Sequence, residues 1–146
     1  MSETPSPTLL QTSAVAIDGR ALMIEGEPGS GKSSLALALI DRGATLIGDD
    51  GIEVRRDGNR VLACPPPNIA GLVEIRNVGL VEFEIAPPTP IALILTLSEE
   101  AERLPETASP RRILGLEIPQ LAFAPGSIAP TPRAEWALRQ HGLSFD

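Results

Sequence analysis

The chain has 146 residues, 42% apolar and 21% charged, with a formal net charge of -7. That length suits one compact domain burying about 68–70% of its unfolded surface, and 15 Pro with 13 Gly stay below low-complexity levels, which excludes wholesale disorder. No apolar run reaches the roughly 18 residues of a membrane span, no basic segment leads an apolar one as in a signal peptide, and the acidic balance argues against wrapping nucleic acid or binding a membrane surface.

In chain order, residues 1–10 mix Ser, Thr and Pro and read as a flexible terminus, with a single domain expected over 11–146. Thr12–Ile17 and Arg20–Glu25 are of strand length, joined by an Asp18-Gly19 turn. A glycine-rich stretch follows, then a helix from Lys32 to Arg42 that Gly43 stops. That helix is apolar nearly all round, which predicts burial on most of its faces. Thr45–Gly48 reads as a short strand running into Asp49-Asp50-Gly51, and Asp57-Gly58-Asn59 marks a hairpin between Ile52–Arg56 and Arg60–Ala63. Pro65, Pro66 and Pro67 enforce an extended link. Over 69–84, and on to Ile85, apolar residues alternate with charge; Ile91–Leu97 is a buried strand, and Arg112–Leu116 and Leu121–Phe123 are weaker strand segments. Thr131–His141 closes the chain as a helix, with Pro132 in its first turn and Trp136, Ala137 and Leu138 available for burial. The expectation is an α/β fold with a mixed sheet and few helices.

Gly26-Glu27-Pro28-Gly29-Ser30-Gly31-Lys32-Ser33 satisfies G-x-x-x-x-G-K-[ST], between an expected strand and an expected helix. Glycines let successive N–H groups face phosphate oxygens, the lysine places a charge on the β/γ-phosphates, the serine hydroxyl can ligate Mg²⁺, and the helix directs its positive end at the anion. A chance match in a chain this long runs to roughly half a percent. Lys32 is the only lysine beside eleven arginines, and phosphate chemistry asks for a compact ammonium at that position. Asp49 and Asp50 follow Lys32 by 17 and 18 residues, at a strand end that in a parallel sheet would lie beside the loop. One carboxylate can hold Mg²⁺ and the other can take a proton from an attacking hydroxyl; a plain Asp-Asp-Gly turn is the alternative.

Three segments in this order, GEPGSGKSS with ALIDRG, then LIGDD, then LVEIRNVGLV after the prolines, resemble the catalytic domain of HPr kinase/phosphorylase over about residues 11–123. The resemblance implies the P-loop fold that this family shares with phosphoenolpyruvate carboxykinase, and an ATP- and Mg²⁺-dependent kinase acting on a serine of an HPr-like phosphocarrier, with phosphorolysis as the reverse reaction. It places Gly26 to Ser34 around the nucleotide phosphates, with Lys32 as the catalytic phosphate-binding lysine, Ser33 and Glu74 as Mg²⁺ ligands, Asp49 as the neighbouring acid near the metal, and Asp50 as the acid that exchanges the serine proton. Leu72, Val73, Glu74, Ile75, Arg76, Asn77, Val78 and Gly79 match the family's signature loop, with Asn77 where a glycine is usual. Arg103 matches an arginine that would meet the phosphoryl group. Gln11 stands where the family has a histidine. The family's usual hexamer makes a homo-oligomer the expectation, and its setting, like the single cysteine Cys64, points to the cytoplasm. A nucleotide-binding regulatory module and a small-metabolite kinase are the competing readings of the same loop.

For the other residues the plainer readings stand: His141 on the surface, Cys64 a packed thiol, Trp136 core or interface, and Arg55-Arg56 and Arg111-Arg112 solvated pairs.

Overall fold

The computed structural model describes residues 7–67 and 71–145. In chain order the elements are β1 (Thr8–Leu10), β2 (Thr12–Ile17), β3 (Arg20–Glu25), α1 (Lys32–Asp41), β4 (Thr45–Gly48), β5 (Gly51–Asp57), β6 (Arg60–Cys64), β7 (Leu72–Ile75), β8 (Gly79–Glu82), β9 (Thr89–Leu97), β10 (Ser109–Ile113), β11 (Leu116–Phe123) and α2 (Pro130–His141). Nine strands form one curled mixed sheet, and β7 and β8 form a separate hairpin.

The apolar run of β9 makes it the hub. It lies parallel to β3 and to β11, while its first residues pair antiparallel with β6 through Leu62↔Pro90 and Ala63↔Thr89. Buried on both faces, it needs no polar alternation, as expected of a central strand. Alternation in its neighbour β3 sorts the core into two layers. Leu22 and Ile24 join Leu35 and Leu39 of α1 and Ala134 and Leu138 of α2 on one face. Ala21 and Met23 join Ile52, Val54, Val61 and Ile118 on the other.

Strand β2 lies between β3 and β4 and is antiparallel to both. Hence β4 runs in the same direction as β3 one strand removed, and both end at the same edge of the sheet. The expected parallel neighbour is therefore corrected in its cause: β4 reaches the right edge through an antiparallel intermediary.

Further expectations are revised. Within the terminus expected to be flexible, residues 1–6 lie outside the described residues, but Thr8–Leu10 form β1, because the outer edge of β5 offers backbone partners from Glu53 to Gly51. The helix α1 is buried at Lys32, Leu35, Ala36 and Leu39; Leu37, Ala38 and Ile40 are half-buried, and Ser33, Ser34 and Asp41 are exposed. Arg112–Leu116 is not one strand, since Leu114 and Gly115 turn with φ of 51° and 84°. Residues 68–70 lie outside the described part of the 69–84 stretch, and the remainder folds back on itself at Arg76–Val78. In α2, Ala137 and Leu138 are buried as expected, but Trp136 is 61% exposed. Cys64 is buried, and that burial pushes its thiol pKa up, away from reactivity. Among the described residues no helix is long and apolar enough to cross a membrane.

Candidate functional site

Strand β3 ends at Glu25, the loop Gly26–Gly31 turns, and α1 starts at Lys32. Gly29 and Gly31 adopt φ of 82° and 103°, conformations that side chains rarely accept. Gly26 is required for a different reason: a Cβ there would stand 2.5 Å from Ser30 Oγ and 3.2 Å from Leu97 Cβ. No side chain caps α1, and no acidic residue occupies its first turn. Its leading N–H groups and positive end are thus left uncapped by any side chain of the helix itself.

Lys32 is buried to 7% exposure, folded over the loop. Its ammonium donates to the carbonyl of Gly26 at 2.7 Å and of Glu27 at 3.2 Å. An ammonium has three donors, so these bonds fix its direction and leave one for a ligand. Ser30 Oγ is buried and finds no hydrogen-bond partner among the described residues. A buried hydroxyl without a partner is costly, and an anionic oxygen in the loop would satisfy it. The loop therefore fits a phosphate chain on its own geometry.

The second half of the site comes from β4. Gly48 permits the tight passage into Asp49, because a Cβ there would collide with the carbonyl of Gly51 and lie 2.9 Å from Ile52 Cγ2. Ser33 Oγ donates to Asp49 Oδ1 at 2.8 Å, tying the first turn of α1 to the end of β4. The fully buried Ser13 of β2 donates to the same oxygen at 3.0 Å and accepts from the Asp50 amide at 3.4 Å. Asp50 itself is exposed, with φ of 60°, and its carbonyl accepts from the Gln11 amide at 3.3 Å. A hydroxyl and a carboxylate side by side suit a magnesium ion, which takes a few protein oxygens and fills its octahedron with phosphate oxygens and water.

The structure thus brings together Gly26 to Ser33, Asp49 and Asp50, and sets Gln11 beside Asp50. It does not bring Glu74 to them: that residue is exposed on the hairpin of β7 and β8, and no three His, Cys, Asp or Glu side chains among the described residues gather closely enough for a metal. The hairpin explains Asn77, whose φ of 67° is one that glycine, and after it asparagine, accepts best. Arg103 is exposed on the irregular stretch after β9, where it lines a groove with Phe123, Ile128 and Trp136.

Two features were not expected from sequence. Ser13 looks like an ordinary small residue of a strand, and only the placement of β2 between β3 and β4 shows its role. Arg111 is solvated only in part: its side chain, 37% exposed, also pairs with Glu25, at the foot of the loop.

The chain is similar to known proteins over most of its length. The profile of the HPr Serine kinase C-terminal domain matches residues 5–126. The HPr kinase/phosphorylase of Alkaliphilus metalliredigens is 33% identical over 137 residues, covering 84% of this chain and 44% of that protein. That of Chlorobium phaeobacteroides is 32% identical over 129 residues, 78% of this chain and 38% of that protein. The chain thus spans less than half the length of these relatives. Among solved structures, the Hpr(Ser) kinase/phosphatase from Coxiella burnetii superposes with a TM-score of 0.77 at 27% identity, covering 91% of this chain and 94% of that one. The chain belongs to the HPr Serine kinase C-terminal domain family.

Proposed function

We propose that this chain is an ATP- and Mg²⁺-dependent protein-serine kinase whose acceptor is an HPr-like phosphocarrier, with the P-loop type of fold shared with phosphoenolpyruvate carboxykinase. The observation that carries the reading is the Ser33–Asp49 bond at the mouth of the glycine-rich loop, with Asp50 next in the chain and open to solvent. Gly26 to Ser34 wrap the phosphates, and the third donor of Lys32 takes a phosphate oxygen. Ser33 and Asp49 hold the ion. Bound there, Mg²⁺ neutralises charge that builds on the phosphate oxygens during transfer.

Asp50 receives the proton of the acceptor serine as its oxygen bonds to the γ-phosphorus. The bond from that phosphorus to the β,γ-bridging oxygen breaks, and ADP leaves. In phosphorolysis, inorganic phosphate takes the phosphoryl group from phosphoserine, and Asp50 returns the proton to the serine oxygen. Such catalysis is chiefly positioning and charge stabilisation. Arg103 supplies positive charge to the phosphoryl group, and Glu74, with Leu72 to Gly79, closes on the metal side when the acceptor docks. Self-association belongs to the reading as well; the exposed Trp136 and Ile128 support a surface that another copy covers.

Incubation with labelled ATP, Mg²⁺ and the HPr of the same organism tests it: label on an HPr serine is the expected result. Tight ATP binding with no transfer to HPr points instead to a regulatory module, and transfer to a small molecule points to a metabolite kinase.

A further inference from the structure

Besides the exposed Glu27 within the anion-binding loop, a second carboxylate stands at its start. Glu25 is the last residue of β3 and directly precedes Gly26, whose carbonyl holds Lys32. The Glu25 side chain is 18% exposed and that of its partner Arg111 37%, so water screens the carboxylate only in part. Left alone, its charge would oppose a polyphosphate in the loop.

Arg111 meets it. Nη1 donates to Oε1 at 2.6 Å and Nη2 to Oε2 at 3.0 Å, the two-pronged geometry in which a guanidinium binds a carboxylate most firmly. The sheet explains how the partners meet. Arg111 lies on β10, which pairs with β11, which pairs with β9, which pairs with β3. The curl of the sheet lets an arginine from its far hairpin reach over β11 and β9. Polar side chains mark the route: Thr96 is the register partner of Glu25, and its hydroxyl accepts from Gln120 Nε2 at 2.8 Å. This row occupies the face opposite α1, so it neither enters the loop nor touches the ligand from the helix side.

We propose that Arg111 is a positioning residue of the phosphate loop: by neutralising Glu25 at the loop's foot, it lets the loop accept a nucleoside triphosphate. The inference rests on the nucleotide reading given above. It distinguishes charge from bracing. If the pair only braced the sheet, losing either partner would cost alike. If Arg111 acts by cancelling charge, losing it exposes the carboxylate, whereas losing Glu25 as well removes the harm.

The test measures ATP affinity with Mg²⁺ by calorimetry for the full chain, its Arg111→Gln, Glu25→Gln and doubly substituted forms, at low and at high salt. Arg111→Gln should weaken ATP about tenfold at low salt, the scale of one unpaired charge near an anion. That deficit should shrink at high salt, where charges are screened within about 3 Å at 1 M. Glu25→Gln should stay within about twofold of the parent, and the double form should recover to within about threefold. Arg111→Lys keeps the charge and should bind ATP nearly as the parent does, which keeps the question open to measurement should Arg111→Gln fail to fold. Unchanged affinity in a folded Arg111→Gln, an unrecovered double form, or an Arg111→Lys as weak as an unpaired glutamate predicts would each overturn the proposal. A folded parent chain that binds no ATP overturns the loop reading itself and this inference with it.

Discussion

The loop edge and the β7–β8 hairpin carry residues of the same proposed site, yet they are built in opposite ways. At the loop edge most of the polar groups are anchored: Lys32 to two loop carbonyls, Ser33 and Ser13 to one oxygen of Asp49, and the Asp50 backbone amide to Ser13, with the Asp50 carboxylate exposed. The strands beneath are fully buried, with Leu22, Met23 and Ile24 at 0% exposure. The hairpin is a two-stranded sheet of its own, with Val78 at 70% and Leu80 at 72% exposure. Its ties beyond itself include the Ala86 amide on the Leu46 carbonyl at 2.8 Å and a bridge between Leu46 and Ile85. A two-stranded hairpin is marginal without further packing. On the proposed function the two regions would have different tasks: the anchored loop edge would hold phosphate, and the hairpin would meet the acceptor.

Substitutions can break or sharpen this contrast through nucleotide binding. The largest loss belongs to Lys32→Ala, which removes a charge-assisted contact of about 2 kcal/mol; ATP affinity should fall roughly thirtyfold by calorimetry. Next comes Ser13→Ala, which deletes the bonds of Ser13 to the Asp49 carboxylate and the Asp50 amide and leaves Ser33 on Asp49. The Mg²⁺ concentration for half-maximal nucleotide binding should rise about fivefold, as for one lost hydrogen bond, and Ser13→Thr should restore it. An unchanged Mg²⁺ requirement would show that Ser13 does not orient the pair. The smallest effect on binding, within about twofold, is expected for Glu74→Gln, because the hairpin stands apart from the loop; its transfer rate to HPr should nevertheless drop about tenfold. If Glu74→Gln weakens ATP as much as Lys32→Ala, the two regions are one preformed site and the contrast fails.

The same contrast explains what the sequence discloses. The glycine-rich loop is legible because its chemistry requires particular residues within a few positions of one another. Asp49 and Asp50 are half legible: their spacing suggests the site, but their approach to Ser33 depends on β2 lying between β3 and β4, which no local pattern specifies. Arg111 and Glu25 are 86 residues apart, and Arg111 resembles any exposed cation until the sheet curls. β1 is three residues long, too short to show periodicity, and owes its existence to the free edge of β5. Helical spacing places Trp136 on a face of α2 but does not say whether that face meets the core; Ala134 and Leu138 take the core side instead. Asn77 is the converse case, where a departure from the usual glycine still respects the backbone angle that the turn demands.

In the proposed mechanism Asp50 exchanges the serine proton while the rest of the edge holds the nucleotide. The most direct test compares the parent chain with Asp50→Asn, measuring ATP affinity and single-turnover transfer to HPr in the same preparation. The account predicts affinity within about twofold and transfer reduced by at least about a hundredfold, the range of a lost general base. Transfer at the parent rate from Asp50→Asn, with ATP still bound, would contradict it.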